Sequence, residues 1–183
     1  MKIVVGITGA SGSIYAQRLI KYLSESPEVE QISVVFSDNA HEIYLSETGE
    51  DIAAKKNIEL KNDHDFYVPY ASGSSTYDAL IICPCSVGTL GRIAGGISNT
   101  LITRAADVML KERRKLILVL RETPYNLIHI RNMETVTSCG GIILPASPSF
   151  YTNPKTIPEL VDTVVFRILS LIGIQDVQKH WME

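Results

Sequence analysis

Cysteine, aromatic side chains and long apolar runs are scarce in this chain of 183 residues, and each scarcity excludes a class of protein. The three cysteines, Cys83, Cys85 and Cys139, are too few for a disulfide framework or for a zinc site made of two C-x-x-C pairs. We interpret them as small buried side chains of a protein kept reduced. No apolar run approaches the ~20 residues that span a bilayer, so we expect no membrane span.

A strongly basic surface and metal-ligand histidine spacing are also missing. The net charge is −3, no basic block occurs, and only 7% of the residues are aromatic, so we expect no nucleic-acid partner. No two histidines have the spacing of metal ligands on one helix face, so we expect isolated histidines and no structural metal. The histidines are His41, His64, His129 and His180. Because the chain opens directly into a strand, we expect no signal peptide and a cytoplasmic protein.

Short apolar runs that are typical of buried strands alternate with helical patterns. Strands are predicted at 2–7, 32–36, 79–82, 116–120 and 141–144. Helices are predicted after the first glycine turn and near 39–46, 88–94, 99–113, 126–138 and 156–172. This alternation predicts an α/β fold, a three-layer Rossmann-like or flavodoxin-like parallel sheet with helices on both faces. We expect a single domain over 1–183.

A polar stretch and the last helix complete the predicted organisation. The polar stretch from Glu47 to Asp78 has weak periodicity and is predicted to be a long loop. The last helix has a capping box, Thr156-x-x-Glu159, an apolar stripe and a stop at Gly173, after which a short tail follows.

Glycines and hydroxyls follow the first and third of these apolar runs. Gly6-x-x-Gly9-x-x-Gly12 lies between the first strand and the first helix, where free N–H groups favour a phosphate. Ser37 follows the second strand before any acidic residue, so FMN fits at least as well as NAD. Ser86 and Thr89 open another helix, where capping by Ser86 is the simpler interpretation. Because parallel strands end at one edge, these turns predict one cleft.

Charged residues near this cleft could either bind a ligand or form structural ion pairs. Arg121-Glu122 directly follows a buried strand, where Arg can hold an anion and Glu can transfer protons, although a structural ion pair is the alternative. Arg104, Asp107 and Lys111 share one helix face, and their spacing alone favours surface ion pairs.

Seven motifs in order give the chain a family resemblance over nearly its whole length. They are Thr8-Gly9-Ala10-Ser11-Gly12, Cys83-Pro84-Cys85-Ser86, Arg104-Ala105-Ala106-Asp107-Val108, Leu110-Lys111-Glu112, Arg121-Glu122-x-Pro124, Leu144-Pro145-Ala146 and Phe150-Tyr151. With them the chain resembles the UbiX-type flavin prenyltransferases. The related flavin-dependent cysteine decarboxylases look less similar around Arg121-Glu122 and Phe150-Tyr151. One departure is Phe66-Tyr67, where relatives often carry a tryptophan.

The resemblance implies an activity and a set of site residues. Reduced FMN would receive a dimethylallyl group from dimethylallyl monophosphate at N5 and C6, and a UbiD-type decarboxylase would use the product. FMN would be held by Gly9, Ala10, Ser11, Ser37, Ser86, Val87, Gly88, Thr89 and Arg121. The prenyl phosphate would be surrounded by Arg104, Lys111, Glu122, Tyr151 and Arg167, and catalysis would use Ser11, Glu47 and Glu122.

The resemblance also implies a large homo-oligomer, a dodecamer in the family, with sites completed between subunits. Fixed cations can stabilise a departing phosphate without a metal, so none is expected. Two other functions stay open at this point. One is an FMN-dependent decarboxylase of aromatic acids, and the other is a non-catalytic FMN-binding module. For Arg167, an ion pair with Asp162 or another local acid is the alternative to substrate binding.

Overall fold

The computed structural model describes residues 1–53 and 55–174, and in that part six strands form one parallel sheet. The strands are β1 Lys2–Ile7, β2 Gln31–Phe36, β3 Ile58–Asn62, β4 Ala79–Cys85, β5 Lys115–Leu120 and β6 Ile142–Pro145. Their order is β3-β2-β1-β4-β5-β6, the order of a doubly wound Rossmann-like sheet, and each neighbouring pair is parallel. The predicted α/β fold is confirmed. His180 and the predicted tail lie outside the described residues.

Helices cover both faces of the sheet because successive strand side chains point to opposite faces. The helices are α1 Ser13–Glu25, α2 Ala40–Thr48, α3 Val87–Ala94, α4 Leu101–Lys111, α5 Leu127–Ser138 and α6 Ile157–Ile172. Ile3, Val5 and Ile7 of β1 pack in the apolar layer under α1 and α6. Val4 points the other way, into the layer under α3 and α4. The ends of buried strands are therefore the places where backbone and ligand can meet.

The polar segment after α2 is the main departure from the predicted fold. Instead of a continuous loop it contains β3, paired with β2 from Ile32 opposite Ile58 to Phe36 opposite Asn62, and a short 3₁₀ helix, Pro69–Ala71. β3 lies at the edge of the sheet, and its Leu60 is 49% exposed. An edge strand of this kind is stabilised by backbone pairing and lacks the apolar run that reveals a buried strand.

An ion pair fastens the last helix to the first. Arg18 of α1 donates from Nε to Asp162 of α6 at 2.7 Å, and a second guanidinium nitrogen also contacts this carboxylate. The Tyr22 hydroxyl donates to the same carboxylate at 2.9 Å. Only 9% of the Asp162 side chain is exposed, so water screens the pair little. The orientation of α6 therefore depends on α1.

Cysteines and histidines differ in part from the sequence-based expectation. Cys83 and Cys85 are fully buried, but Cys139 is exposed because it lies at the end of α5 and not beside a strand. The described histidines are not isolated, since His41 contacts Asp51 and His64 contacts Asp38. His129 contacts Asn126 at the start of α5.

Neither a metal cluster nor a membrane-spanning helix is found among residues 1–53 and 55–174. No group of three or more His, Cys, Asp or Glu side chains is arranged to hold a metal ion there. No helix there combines the length and apolar character needed to cross a membrane.

Candidate active site

Hydrogen bonds tie the ends of the central strands together at the carboxyl edge of the sheet. The buried Thr8 hydroxyl donates to the Pro84 carbonyl at 2.7 Å and accepts from the Ser86 N–H at 2.8 Å. The Arg121 N–H donates to the Cys85 carbonyl at 3.1 Å. The turns that follow β1, β4 and β5 therefore meet in one place.

A cavity of about 200 Å³ opens at this edge and brings four predicted residues together. They are Gly9, Ser37, Ser86 and Thr89. The other lining residues are Asp38, Asn39, Asp63, Arg92, Thr100, Ile102 and Thr103. A larger cavity of about 410 Å³ beside α1 and the end of α2 contains none of the predicted residues.

The start of α1 is covered by a carboxylate from α2. Oε2 of Glu47 accepts from the N–H groups of Gly12 at 2.9 Å and Ser13 at 2.7 Å. Burial raises the pKa of Glu47, but hydrogen bonds from the Ser11 hydroxyl and these two N–H groups outweigh it and lower the pKa. Gly12 has a φ of 113°, which favours glycine. Two of the donors at this turn, the N–H groups of Gly12 and Ser13, are thus already paired with Glu47.

The start of α4 is covered in the same way by Asp63, which follows β3. Its Oδ1 accepts from the Ile102 N–H at 2.8 Å, and its backbone carbonyl accepts from the Leu101 N–H at 2.6 Å. Asp63 is 4% exposed, and this burial raises its pKa despite the hydrogen bonds from Ile102 and Thr100. A second helix start at the cavity is therefore closed to anions.

The start of α3 remains open between these two. Ser86 caps the helix by accepting from the Thr89 N–H at 3.2 Å, as the simpler interpretation predicts. Within residues 1–53 and 55–174, the N–H groups of Val87 and Gly88 have no hydrogen-bond partner. Free N–H groups at the positive end of a helix dipole attract an anion. This helix start therefore has two free donors with which it could bind an anion.

Arg121 lies against the glycine turn with an unsatisfied donor. Its Cγ is 3.9 Å from the position that a Gly12 Cβ would take. Its Nε is buried and has no partner among the described residues. Leaving a buried donor unpaired is unfavourable, so the site fits a ligand with an acceptor at this point. The neighbouring Glu122 accepts from the Thr123 N–H at 3.0 Å.

Within one chain, the predicted cations Arg104 and Lys111 do not lie beside Arg121. Arg104 donates to the Ala71 carbonyl at 3.0 Å and pairs with Asp107 at 2.9 Å, while Lys111 pairs with Glu112. Lys111 ends α4 just before β5, whereas Arg121 follows β5. The six residues of β5 span roughly 20 Å. Lys111 is therefore at the opposite edge of the sheet. Of the ion pairs that the spacing favours, Arg104–Asp107 forms, whereas Lys111 pairs with its sequence neighbour Glu112 and not with Asp107.

Tyr151 and Arg167 also lie outside the cavity. Tyr151 is 51% exposed on the segment between β6 and α6, which the Ser149 N–H fastens to Thr163 Oγ1 at 3.0 Å. Arg167 is exposed and stands ten residues after the first residue of α6, or about 15 Å along its axis. Asp162 binds Arg18, so the predicted alternative of an Arg167–Asp162 pair is wrong.

Sequence reasoning missed residues that shape the cavity. Asp63 ends a strand that carries no apolar run, so no sequence signal placed it at the carboxyl edge. For Arg92 the sequence offers a weak indication: it lies four residues after Gly88, a predicted site residue, and therefore on the same face of α3. Phe66 and Tyr67, the departure from the family pattern, are exposed and do not line the cavity.

Comparisons with known proteins find relatives over nearly the whole chain. The family described as Flavoprotein matches residues 1–169. The "Flavin prenyltransferase UbiX" of Methanocaldococcus jannaschii is 44% identical over 99% of this chain and 98% of its own length. A dodecameric FMN-dependent UbiX-like decarboxylase from Escherichia coli O157:H7 superposes with a TM-score of 0.90 at 35% identity, over 100% of both chains.

A further solved structure contains FMN and a dimethylallyl ester that carries a pyrophosphate instead of a single phosphate. AnUbiX (PadA1), in complex with FMN and dimethylallyl pyrophosphate, superposes with a TM-score of 0.85 at 36% identity over 98% of each chain. Identity at this level over the full length goes well beyond a shared fold. With its sheet order, its open α3 start and these matches, the chain belongs to the flavoprotein family and, within it, to the UbiX flavin prenyltransferases.

Proposed function

We propose that this protein is a flavin prenyltransferase that joins a dimethylallyl group from dimethylallyl monophosphate to N5 and C6 of reduced FMN. One observation carries the proposal: the start of α3, at the carboxyl edge of the sheet beside Arg121, has free N–H groups that could bind an anion. The relatives named flavin prenyltransferase and the neighbour that binds FMN and a dimethylallyl phosphate ester support it. When bound, reduced FMN supplies the electron-rich ring atoms that accept the prenyl group.

The residues of the edge fit FMN in two respects. The N–H groups of Val87 and Gly88, with the Ser37, Ser86 and Thr89 hydroxyls, would hold the phosphate. Gly9, Ala10, Ser11 and Arg121 would hold the rest of the flavin nucleotide. The buried Nε of Arg121 would then find the acceptor that it lacks. We propose the phosphate site at α3 and not at the α1 turn, because the Glu47 carboxylate accepts from the Gly12 and Ser13 N–H groups of that turn.

Glu47 and Ser11 are proposed to act together as a fixed proton-handling pair. Hydrogen bonds at the α1 start keep Glu47 ionised and hold its carboxylate beside the Ser11 hydroxyl. A carboxylate fixed in this way can orient the hydroxyl and stabilise a positive charge that develops nearby. Glu122, the second carboxylate of the site, is proposed to exchange a proton with the departing phosphate or with the flavin.

The prenyl phosphate requires cations from more than one chain. Arg104, Lys111, Tyr151 and Arg167 are proposed to bind its phosphate, whose negative charge grows as the allylic C–O bond breaks. Lys111 lies a strand length away from Arg121 in the same chain. We therefore propose a homo-oligomer in which a neighbouring subunit contributes such residues. The dodecameric Escherichia coli neighbour supports this assembly.

We further propose that a UbiD-type decarboxylase uses the product and that the enzyme works in the cytoplasm. Cys83, Cys85 and Cys139 are free thiols, and a reduced flavin acceptor also fits a reducing compartment. The alternative, direct decarboxylation of an aromatic acid, is kept because the Escherichia coli neighbour is named a decarboxylase.

A reconstitution assay separates these two functions. The protein is incubated with reduced FMN and dimethylallyl monophosphate, and its small-molecule filtrate is added to a UbiD-type apo-decarboxylase. An aromatic acid is present throughout, and we expect carbon dioxide from it only after this second protein is added. Carbon dioxide from this protein alone, with unmodified FMN, would establish the decarboxylase instead.

A further inference from the structure

Arg92 is a cation at the cavity to which neither the family motifs nor the mechanism above gives a role. It lies on α3, four residues after Gly88, and lines the cavity with Ser86 and Thr89. Helix side chains lean toward the helix N-terminus, and Nη1 of Arg92 is 3.9 Å from the position that a Gly88 Cβ would take. The guanidinium therefore extends back toward the open start of α3.

No carboxylate neutralises Arg92 in the part of the chain that the structure describes. Two acidic residues share its cavity, but Asp38 pairs with His64 at 2.8 Å and Asp63 accepts from the start of α4. Arg92 forms no ion pair within 4.0 Å among residues 1–53 and 55–174. Its positive charge thus adds to the field of the α3 dipole at the open N–H groups.

We propose that Arg92 binds the phosphate ester of FMN together with the N–H groups of Val87 and Gly88. This inference rests on the proposed flavin site and adds a specificity determinant to it, because only a flavin with a phosphate would use Arg92. A guanidinium suits this task, since its planar set of donors can contact two phosphate oxygens at once.

The test compares two flavins that differ only in the phosphate. The dissociation constants of FMN and riboflavin are measured by fluorescence for the wild-type protein, Arg92→Ala and Arg92→Lys. Loss of a charge-assisted contact should weaken FMN binding of Arg92→Ala roughly ten- to a hundredfold, with riboflavin binding unchanged. Arg92→Lys should recover part of the loss because it keeps the charge. Lys21→Ala removes a cation from the other cavity and should change neither constant.

Each contrary outcome has a distinct meaning. Unchanged FMN binding in Arg92→Ala would overturn the proposal, and an equal loss for FMN and riboflavin would assign Arg92 to the fold of α3 instead. Wild-type protein that binds FMN no more tightly than riboflavin would contradict the proposed phosphate site itself, before any variant of Arg92 is considered.

Discussion

Oε2 of Glu47, on α2, accepts a hydrogen bond of 2.7 Å from the backbone N–H of Ser13, the first residue of α1. A carboxylate thus takes the place at which a glycine-rich turn ordinarily receives a phosphate. Asp63 covers the start of α4 in the same manner. Two carboxylates therefore leave α3 as the helix start at this cavity that can receive the flavin phosphate.

The charge of Glu47 should matter more to turnover than to binding. Glu47→Gln keeps an oxygen for the N–H groups of Gly12 and Ser13 but removes the negative charge. We expect FMN still to bind and turnover to fall about a hundredfold, within the usual range for a proton-handling group. Rapid-quench assays with titrated FMN measure both quantities. A variant with near-normal turnover would remove Glu47 from the chemistry.

Low pH should remove the contribution that the Glu47 contact makes to the free energy of unfolding. The pKa of Glu47 in the folded protein is below its ordinary value of 4.5, so the unfolded chain takes up the proton first as the pH falls. The contribution to stability is therefore present above about 4.5 and is lost as the pH falls through the lower folded value. Urea unfolding across this range should show a steeper loss for the wild type than for Glu47→Gln. Parallel curves would contradict the assignment.

Thr8 should contribute both to stability and to the shape of the site. Thr8→Val leaves the Pro84 carbonyl and the Ser86 N–H without their shared partner in a buried position. We expect a loss of about 1–3 kcal/mol in the free energy of unfolding and weaker FMN binding. Thr135→Val, on the exposed face of α5, is the matched control and should change neither. Equal effects of the two substitutions would show that the strand-end contact is unimportant.

Removing one partner of the Arg18–Asp162 pair should lower the stability of the fold more than replacing both partners. Asp162→Ala leaves a largely buried guanidinium unpaired, and we expect a loss of roughly 2–4 kcal/mol of stability. Replacing both partners together, Arg18→Leu with Asp162→Leu, should cost less than Asp162→Ala alone. Chemical denaturation of the variants provides the comparison. A double variant that is less stable than the single one would contradict this account of the α1–α6 contact.

Mixing two inactive variants tests whether the site is shared between subunits. Lys111→Ala and Arg121→Ala should each be nearly inactive as pure oligomers. If the two residues come from different chains, co-refolding equal amounts should restore about one quarter of the wild-type activity, because a quarter of the sites receive both intact residues. Mixing without subunit exchange is the control. Failure of the co-refolded mixture to recover activity would place both residues in one chain.

The sequence predicts the buried part of this fold well and its polar part poorly, for physical reasons. β1, β2, β4 and β5 carry apolar runs because both their faces are covered, so their positions could be read directly. β3 is held by backbone pairing at the sheet edge, which leaves no apolar pattern. The strand that delivers Asp63 to the cavity was therefore missed.

The site shows the same limit at the level of single contacts. Local motifs identify the glycine turn and the α3 start, because helix starts have characteristic residues. They cannot show that the Glu47 carboxylate, from another helix, satisfies the donors of that turn. Spacing along α4 also cannot show that Lys111 lies at the opposite edge of the sheet from Arg121. Both facts depend on tertiary packing.

Mass spectrometry of the flavin tests the central claim most directly. The protein is incubated anaerobically with reduced FMN and dimethylallyl monophosphate, and the flavin is extracted and weighed. We predict that the flavin gains the mass of C5H8, one dimethylallyl group less the proton that it replaces. Glu122→Gln should slow this gain, and omission of the prenyl phosphate should abolish it. FMN of unchanged mass after incubation with folded, flavin-loaded protein would contradict the account.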